Sequence, residues 1–316
     1  MTSDPTIGEA PVQQASRVDE PTLTVRRSRA KTVRLVLGLV IIALLAVLAV
    51  RLVMNSKLNF AVIRQYMFNP SILAGVRRTI VLTVLAMAIG SLLGLLIALA
   101  RTSSSVALRS VAFFYAWMFR GTPVLVQLII WFNLALVIPR IGISIPGTSI
   151  DWSASTNVLI TPFVAALLGL ALNEAAYLSE IIRAGIISVD RGQSEAAAAL
   201  GLRTRGIMYR VVMPQAMRAI IPPAGNELIT CLKTTSLVSI ISYSELLGTA
   251  QGIYSVNYDT LELLVVASIW YLVCTTLFSI GQYFVERHFG RGFALDRGAR
   301  SVGIMSLFNP RRRVTS

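Results

Sequence analysis

Six apolar runs, each long enough to cross a lipid bilayer as a helix, constrain the fold of this chain more than any other feature. A transmembrane helix needs about 20 predominantly apolar residues. Apolar residues make up 55% of the sequence and charged residues 14%, which is too little charge for a soluble domain of this length. The runs cover residues 34–54, 79–100, 111–138, 159–182, 220–242 and 261–284. The sequence therefore predicts an all-α integral membrane protein, built as a bundle of six transmembrane helices.

The segments outside the runs set the predicted domain limits. Residues 1–30 are rich in Pro, Ser, Thr and acidic residues and lack apolar periodicity, which predicts a disordered tail. Residues 290–316 predict a second, basic tail, and residues 31–289 form the predicted membrane domain. The first run follows a long polar segment and lacks an A-x-A cleavage site, so an uncleaved anchor is favoured over a signal peptide.

Basic residues predict the orientation of the helices. Lys and Arg in short loops accumulate on the cytoplasmic side of a membrane. Basic clusters precede the first run, lie between the second and third and between the fourth and fifth, and follow the sixth. This alternation predicts a multi-pass protein of the cytoplasmic (inner) membrane with both termini, and both tails, in the cytoplasm. The basic residues that do not fit it are Lys57, Arg64, Arg77, Arg78 and Arg140.

Composition and motifs argue against several other functions. The net charge is +14, but the arginines flank apolar runs instead of interleaving with aromatics, so no nucleic-acid partner is expected. Cys231 and Cys274 lie in apolar runs without CxxC spacing and are interpreted as packed thiols. A single histidine, His288, gives no basis for a metal site or a Ser-His-Asp triad. The sequence also lacks the G-x-x-x-x-G-K-[ST] loop that cradles ATP phosphates. We therefore expect no cofactor and no catalytic residues, as in a protein that is not an enzyme.

The connection between the fourth and fifth runs, residues 188–218, combines alanines, glycines and arginines in the stretch EAAAALGLRTRGIMYRVVMP. Asp190 can cap a helix that continues through the alanines, and Gly201 can supply the left-handed residue that stops it. Thr204 can begin a second short helix, which Pro214 ends or kinks. The predicted cytoplasmic helix-turn-helix offers a smooth surface with charge around it, which suits a docking element. The alternative is a helix pair lying on anionic lipid.

Longer motifs surround this connection. They are FRGTPVLVQ from Phe119, NEAAYLSEIIRAGIISVDRGQSEAAAALG from Asn173 and MPQAMRAIIPPAGNELITCLKTTSLVSII from Met213. Together they resemble the permease subunits of bacterial ABC importers, in the branch that takes up polar amino acids, over about residues 71–289. The resemblance implies that the connection is the coupling loop of that family, whose helices sit in a groove on each ATP-hydrolysing subunit. The residues assigned to coupling in this way are Glu195, Ala196, Ala197, Gly201, Arg203, Arg205 and Pro214.

The resemblance also implies an assembly and a function. Two ABC ATPase subunits would supply energy, an extracytoplasmic solute-binding protein would deliver a polar amino acid, and a second permease copy or a sister subunit would complete the pathway. Transport would proceed by alternating access, with ATP hydrolysis in a separate chain. Two features depart from the family pattern. Thr234 stands where relatives usually carry Asp or Asn, which leaves the role of Lys233 open, and the first run is additional to the five of the branch.

Arg120 interrupts the third apolar run, next to Gly121 and Pro123. An ionisable side chain at membrane depth usually marks a pathway or a partner. Irregular backbone is tolerated at that depth where it lines a cavity. We therefore predict that this helix is broken beside the translocation path, with Arg120 facing an acidic residue or a substrate carboxylate. The alternative is that Arg120 snorkels at an interface between two shorter segments.

Acidic residues in the fourth run repeat at helical spacing. Glu174, Tyr177 and Glu180 form a near-continuous stripe on a helix. The stripe is predicted to face the bundle interior, because two carboxylates facing lipid would be prohibitive. There an acid could receive the ammonium or guanidinium group of an amino acid, or Glu180 could form a structural ion pair with Arg183.

The fifth run repeats this spacing with Glu227, Thr230 and Lys233, so Lys233 could meet a substrate carboxylate or neutralise Glu227. The residues predicted to line the substrate path are Arg120, Gln127, Asn173, Glu174, Tyr177, Glu180, Asn226 and Lys233. Broken helices and buried charges also occur in ion-coupled secondary carriers and channels, which are the alternative function. The alanine-rich connection favours the ATP-driven importer, because a carrier has no need for a docking element.

Overall fold

The computed structural model describes residues 27–55, 58–144 and 151–289. Residues 1–26 and 290–316, which include nearly all of the predicted tails, lie outside the described residues. The chain divides into two units at residues 58 and 59. The described part of the first unit consists mainly of helix α1, Arg27–Asn55, whose apolar stretch Val33–Leu44 overlaps the predicted first run.

The second unit is mostly helical. Two short 3-10 helices, Leu134–Leu136 and Thr235–Ile241, and a π-helical segment, Met208–Val212, adjoin its α-helices. Its remaining elements, in chain order, are α2 (Phe60–Met67), α3 (Pro70–Arg101), α4 (Val106–Gly121), α5 (Val124–Phe132), β1 (Arg140–Ser144), β2 (Asp151–Ser155), α6 (Thr156–Leu159), α7 (Pro162–Ile187), α8 (Arg191–Ala199), α9 (Thr204–Ile207), α10 (Met213–Thr234), α11 (Leu246–Asn257) and α12 (Thr260–Phe289).

Within the described residues, three helices are long and apolar enough to cross a membrane: α3, α7 and α12. The bent pair α4 and α5 would make a fourth span. The predicted all-α membrane architecture is confirmed as a mostly helical fold. The count of six spans stays a prediction, since the first and fifth predicted spans do not meet these criteria within the described residues.

The third predicted span, residues 111–138, is not one helix. The axes of α4 and α5 meet at 101°, at the Gly121–Pro123 break that the sequence indicated. Thr122 is extended there (φ −112°, ψ 141°), as expected for a residue that precedes proline. Beyond α5 the chain forms an antiparallel hairpin of β1 and β2, which the sequence analysis did not predict.

The fifth predicted span, residues 220–242, also required correction. Helix α10 begins earlier, at Met213, and ends at Thr234, and a 3-10 helix continues to Ile241. The hydroxyls of Thr235 and Ser236 donate to carbonyls three residues back, which competes with regular α-helical bonding at this point. The fourth predicted span is shifted by a few residues, to α7, and the second and sixth predicted spans lie inside the longer helices α3 and α12.

Helices α3 and α7 form the most extensive helix pair of the bundle. Glycines on α3 allow this close approach: a Cβ atom at Gly90 would lie 2.9 Å from Cβ of Glu174, and one at Gly94 would lie 3.0 Å from Cβ of Leu178. A core of fully buried side chains, among them Leu82 and Leu128, joins α3, α5 and α7. This packing fixes the position of Glu174 at the edge of the core.

Candidate substrate cavity and coupling loop

A cavity of about 540 Å³ lies where the break between α4 and α5 meets α7 and α10. Its walls combine charged groups with hydroxyls and amides, and the broken backbone forms one side. The lining residues are Arg120, Gly121, Thr122, Pro123, Val124, Asn173, Glu174, Tyr177, Glu227, Thr230 and Thr234. Four of the residues predicted to line the substrate path are therefore brought together here: Arg120, Asn173, Glu174 and Tyr177.

The other four predicted residues do not line this cavity. Lys233 is exposed near the end of α10, and among the described residues it forms no ion pair with Glu227. Asn226 is exposed and accepts a hydrogen bond from Nε2 of Gln282 on α12 (3.2 Å). Gln127 and Glu180 lie behind the cavity wall, where each has a different role.

Gln127 holds the break in α4 and α5 together. Its Nε2 donates to the carbonyl of Phe119 (2.9 Å) and to the hydroxyl of Thr122 (2.8 Å). Asn173 on α7 donates to the same Phe119 carbonyl (3.1 Å) and to Oε1 of Gln127 (3.3 Å). These bonds satisfy backbone groups that the break leaves without helical partners, so Gln127 positions the cavity wall.

Glu174 is the most deeply buried acid of the cavity, with 4% of its surface exposed. Its Oε2 atom has no hydrogen-bond partner among the described residues. Glu227 lines the same cavity from α10, and the Cys231 thiol lies beside Glu174. A buried polar atom without a partner is costly, which marks this carboxylate as a candidate ligand-binding group.

Arg120 provides the cation of the cavity. Its guanidinium lies over the ring of Tyr177, 5.5 Å from the ring centroid. Its Nη1 is 3.9 Å from Oε2 of Glu180, beyond hydrogen-bond distance, and 43% of the side chain is exposed. The predicted acidic neighbour of Arg120 is therefore present, in a loose pairing.

Glu180 is held from two other sides. Arg101, at the end of α3, donates to Oε2, and Arg183, one turn further along α7, donates to Oε1. The ion pair of Glu180 with Arg183 is the structural alternative that the sequence left open. Glu180 does not line this cavity, and its carboxylate joins α3 to α7; its predicted place in the substrate path stays a prediction.

The predicted coupling loop is a helix, a glycine turn and a second helix. Asp190 caps α8 by accepting from the amide of Gly192. At the other end, the amides of Gly201 and Leu202 donate to the carbonyls of Ala198 (2.9 Å) and Ala197 (3.2 Å), and Gly201 has φ +80°. This Schellman-type end is the left-handed stop that the sequence predicted.

Much of the loop surface is open. Glu195, Ala196, Arg203 and Arg205 are exposed, as is Leu200, which is 82% exposed. The alanine face is not uniform, because Ala197 is buried. Pro214 does not end the second helix: helical backbone continues from α9 through the π-helical segment into α10. The wider π turn just before Pro214 accommodates a residue that lacks an amide hydrogen. The coupling role of these residues stays a prediction.

Glu245 is a buried acid that the sequence analysis missed. It is fully buried at the start of α11 and accepts from the hydroxyl of Tyr271 (2.6 Å) and from the amides of Leu247 (2.9 Å) and Gly248 (2.8 Å). The hydroxyl of Thr79 also donates to it (3.2 Å). It thus joins α3, α11 and α12. In the local sequence, only the position of Glu245 just before an apolar helix could have indicated its burial. Its partners Thr79 and Tyr271 are distant in sequence.

Comparisons with known proteins agree with these features. Residues 90–291 match the family of the binding-protein-dependent transport system inner membrane component. The arginine transport system permease protein ArgU of Corynebacterium glutamicum is 40% identical over 274 residues, which cover 86% of this chain and 85% of the relative. The L-cystine transport system permease protein TcyB of Bacillus subtilis is 38% identical, covering 72% of this chain and 90% of the relative.

A solved structure has a related sequence and fold. It is a crystal structure of an amino acid ABC transporter with histidines, which aligns with 37% identity and a TM-score of 0.63 over 74% of this chain and 100% of the matched chain. The MetNI methionine ABC transporter in an inward-facing conformation aligns with 18% identity and a TM-score of 0.53, which supports the fold alone. This chain therefore belongs to the binding-protein-dependent transport system inner membrane components and is a permease subunit of an ABC importer of the polar amino-acid type.

Proposed function

We propose that the cavity is the translocation site for a basic amino acid. The observation that carries this proposal is the set of charges that line the cavity: one guanidinium, of Arg120, and two carboxylates, of Glu174 and Glu227. A basic amino acid has two cationic groups and one carboxylate, which complements two carboxylates and one guanidinium. The cavity volume of about 540 Å³ lies within the usual range for small-molecule pockets.

Arg120 is the group that receives the substrate carboxylate. Three guanidinium groups approach Glu180, but Arg101 and Arg183 already occupy its two oxygens. Arg120 therefore gains little from Glu180 and can turn toward a carboxylate in the cavity. Glu174 and Glu227 receive the ammonium and side-chain cations. The relative from C. glutamicum is named an arginine transport system permease, in agreement with this substrate class.

Competition measurements on the purified permease–ATPase complex, without the solute-binding protein, test the substrate class. Equilibrium binding of radiolabelled arginine is measured with an excess of unlabelled lysine, ornithine, glutamine or glutamate, so that the measured selectivity is that of the cavity. The proposal requires strong competition from the basic amino acids and weak competition from the others. Equal competition by glutamate would contradict it.

We further propose that the coupling loop docks on a partner ATPase, which hydrolyses ATP for transport. The exposed charges of Glu195, Arg203 and Arg205 support this role, together with the left-handed turn at Gly201. The assembly includes two ATPase subunits, two permease subunits and an extracytoplasmic solute-binding protein, with the loop and both termini in the cytoplasm. The family assignment favours this importer over the ion-coupled carrier or channel.

Substitution of Gly201 tests the loop. A side chain there has free space around it, so Gly201→Leu acts through the left-handed backbone, at about 1–2 kcal/mol. We expect loss of ATPase co-purification and of uptake, with the permease still inserted in the membrane. Gly281→Leu on α12 is the matched control, because its position is equally open and lacks the positive φ. Normal coupling in Gly201→Leu would contradict the docking role.

A further inference from the structure

The hairpin of β1 and β2 has one apolar face and one polar face. Directly paired residues of an antiparallel hairpin share a face, and neighbours along a strand alternate. The pairs Ile141 with Ala154 and Ile143 with Trp152 fall on one face. The pairs Arg140 with Ser155 and Gly142 with Ser153 fall on the other, where Arg140 donates to the Ser153 hydroxyl (2.9 Å).

The apolar face is only partly covered by the rest of the chain that the structure describes. Trp152 is 53% exposed, Ile141 and Ala154 are partly buried, and outside itself the hairpin packs chiefly against the short helix α6. Its base is closed by Thr156, whose amide donates to the carbonyl of Pro139 (3.0 Å). A two-stranded hairpin alone is at best marginally stable in water, so this one needs a surface to cover it.

The position of the hairpin indicates which surface is available. Helix α7 has 26 residues and follows the hairpin, and α8 follows α7. Helix α7 is about 39 Å long, which exceeds the thickness of about 30 Å of the hydrocarbon core of a bilayer. The hairpin therefore lies near the membrane boundary, at the end of the bundle opposite the coupling loop.

An apolar surface leads from the spanning helices to this hairpin. Ile130 on α5 is 58% exposed, and Leu136 and Val137, which precede the hairpin, are 83% and 80% exposed. In a membrane protein, such side chains on the outer surface face lipid wherever a second permease subunit does not cover them. The hairpin continues this surface with a tryptophan, the residue that concentrates at the level of the lipid headgroups.

We propose that the hairpin lies on the phospholipid surface, with the face of Ile141, Trp152 and Ala154 in the bilayer interface and the face of Arg140 and Ser153 toward water. Lipid fits this face better than a protein partner does. An aromatic side chain buries about 150–250 Å², and this face has one aromatic among small and aliphatic residues. That area is well below the about 800 Å² that a stable protein interface buries on each side. The hairpin would then anchor the connection from α5 to α7, next to the cavity wall.

Site-directed spin labelling of the complete importer tests this anchor. Single cysteines are introduced at residues 152, 153, 154 and 155, labelled, and reconstituted in vesicles of phosphatidylethanolamine and phosphatidylglycerol. Cys231 and Cys274 are buried, and the parent protein without an added cysteine reports background labelling. Each variant is first required to retain uptake, so that misfolded variants are excluded.

The expected result is an alternation along β2. Labels at residues 152 and 154 should collide more with oxygen, which concentrates in lipid, and labels at 153 and 155 more with a water-soluble nickel chelate. Nickel accessibility at all four positions would overturn the proposal. So would an apolar face that is protected from both reagents, or that becomes protected only when the solute-binding protein is added, because either result identifies a protein partner.

Discussion

Glu174 and Glu180 are two acids on the same helix, six residues apart, with opposite environments. Both oxygens of Glu180 are bound by arginines, and Glu174 has a buried oxygen without a partner among the described residues. Six residues at 100° each place the two side chains about 120° apart around the helix axis. Glu180 therefore faces Arg101 of α3, and Glu174 faces the cavity and α10.

This difference separates an acid that maintains structure from an acid that is available to a ligand. A carboxylate whose oxygens are already bound has little to gain from a substrate cation. A buried carboxylate with a free oxygen can gain a charged hydrogen bond, which contributes about 1.5–3 kcal/mol. The comparison predicts that substitutions at the two glutamates change different measurable properties.

The largest expected effect is on uptake by Glu174→Gln. This change keeps the shape of the side chain and removes the charge that receives the substrate cation. Loss of one charge-assisted hydrogen bond should lower arginine uptake by about tenfold to a hundredfold. The melting temperature of the purified complex should stay within a few degrees of the wild-type value. Uptake at the wild-type rate would show that the free oxygen has no role in transport.

Glu180→Gln should show the reverse pattern. It leaves Arg101 and Arg183 without their shared anion, in a cluster that is partly exposed. The expected loss of stability is about 1–3 kcal/mol, between the values for exposed and buried ion pairs. Thermal unfolding in detergent measures this loss of stability. The double variant Glu180→Gln with Arg101→Gln should regain part of it. An unchanged melting temperature with abolished uptake would place Glu180 in the substrate path instead.

Tyr177 lies between the two glutamates and should give the smallest effects. Tyr177→Phe keeps the ring below the Arg120 guanidinium, and uptake should change less than twofold. Tyr177→Leu removes a cation–π contact of about 0.5–1 kcal/mol, which predicts a twofold to fivefold loss. Both are measured as the Michaelis constant for arginine uptake. A loss in Tyr177→Phe as large as that in Tyr177→Leu would indicate that the hydroxyl, which both variants lack, binds the substrate directly.

The sequence predicted the parts of the site that depend on local backbone chemistry. Pro123 forces an extended residue before it, and Gly201 adopts the left-handed conformation that ends α8. The burial of Glu174 followed from the cost of a carboxylate in lipid. These predictions needed only neighbouring residues and the membrane as solvent.

The features that were not predicted depend on accumulated rotation along a helix or on contacts between residues distant in sequence. Glu180 was grouped with Glu174 because residues three apart on a helix are close to each other. Two such steps, from Glu174 to Tyr177 and on to Glu180, rotate the side chain by about 120° around the helix axis. Lys233 and Glu227 are related by the same rotation, which explains why Lys233 does not line the cavity. Glu245 gains its partners from α3 and α12, and the hairpin depends on pairing between residues 140 and 155, so neither has a strong local signal.

The most direct test of the account is equilibrium binding of arginine to the purified permease–ATPase complex without ATP or binding protein, for wild type, Glu174→Gln and Glu180→Gln. The account predicts saturable binding by wild type and by folded Glu180→Gln, and binding weakened by about tenfold or more in Glu174→Gln. Equal affinity of Glu174→Gln and wild type would contradict the claim that this carboxylate receives the substrate cation.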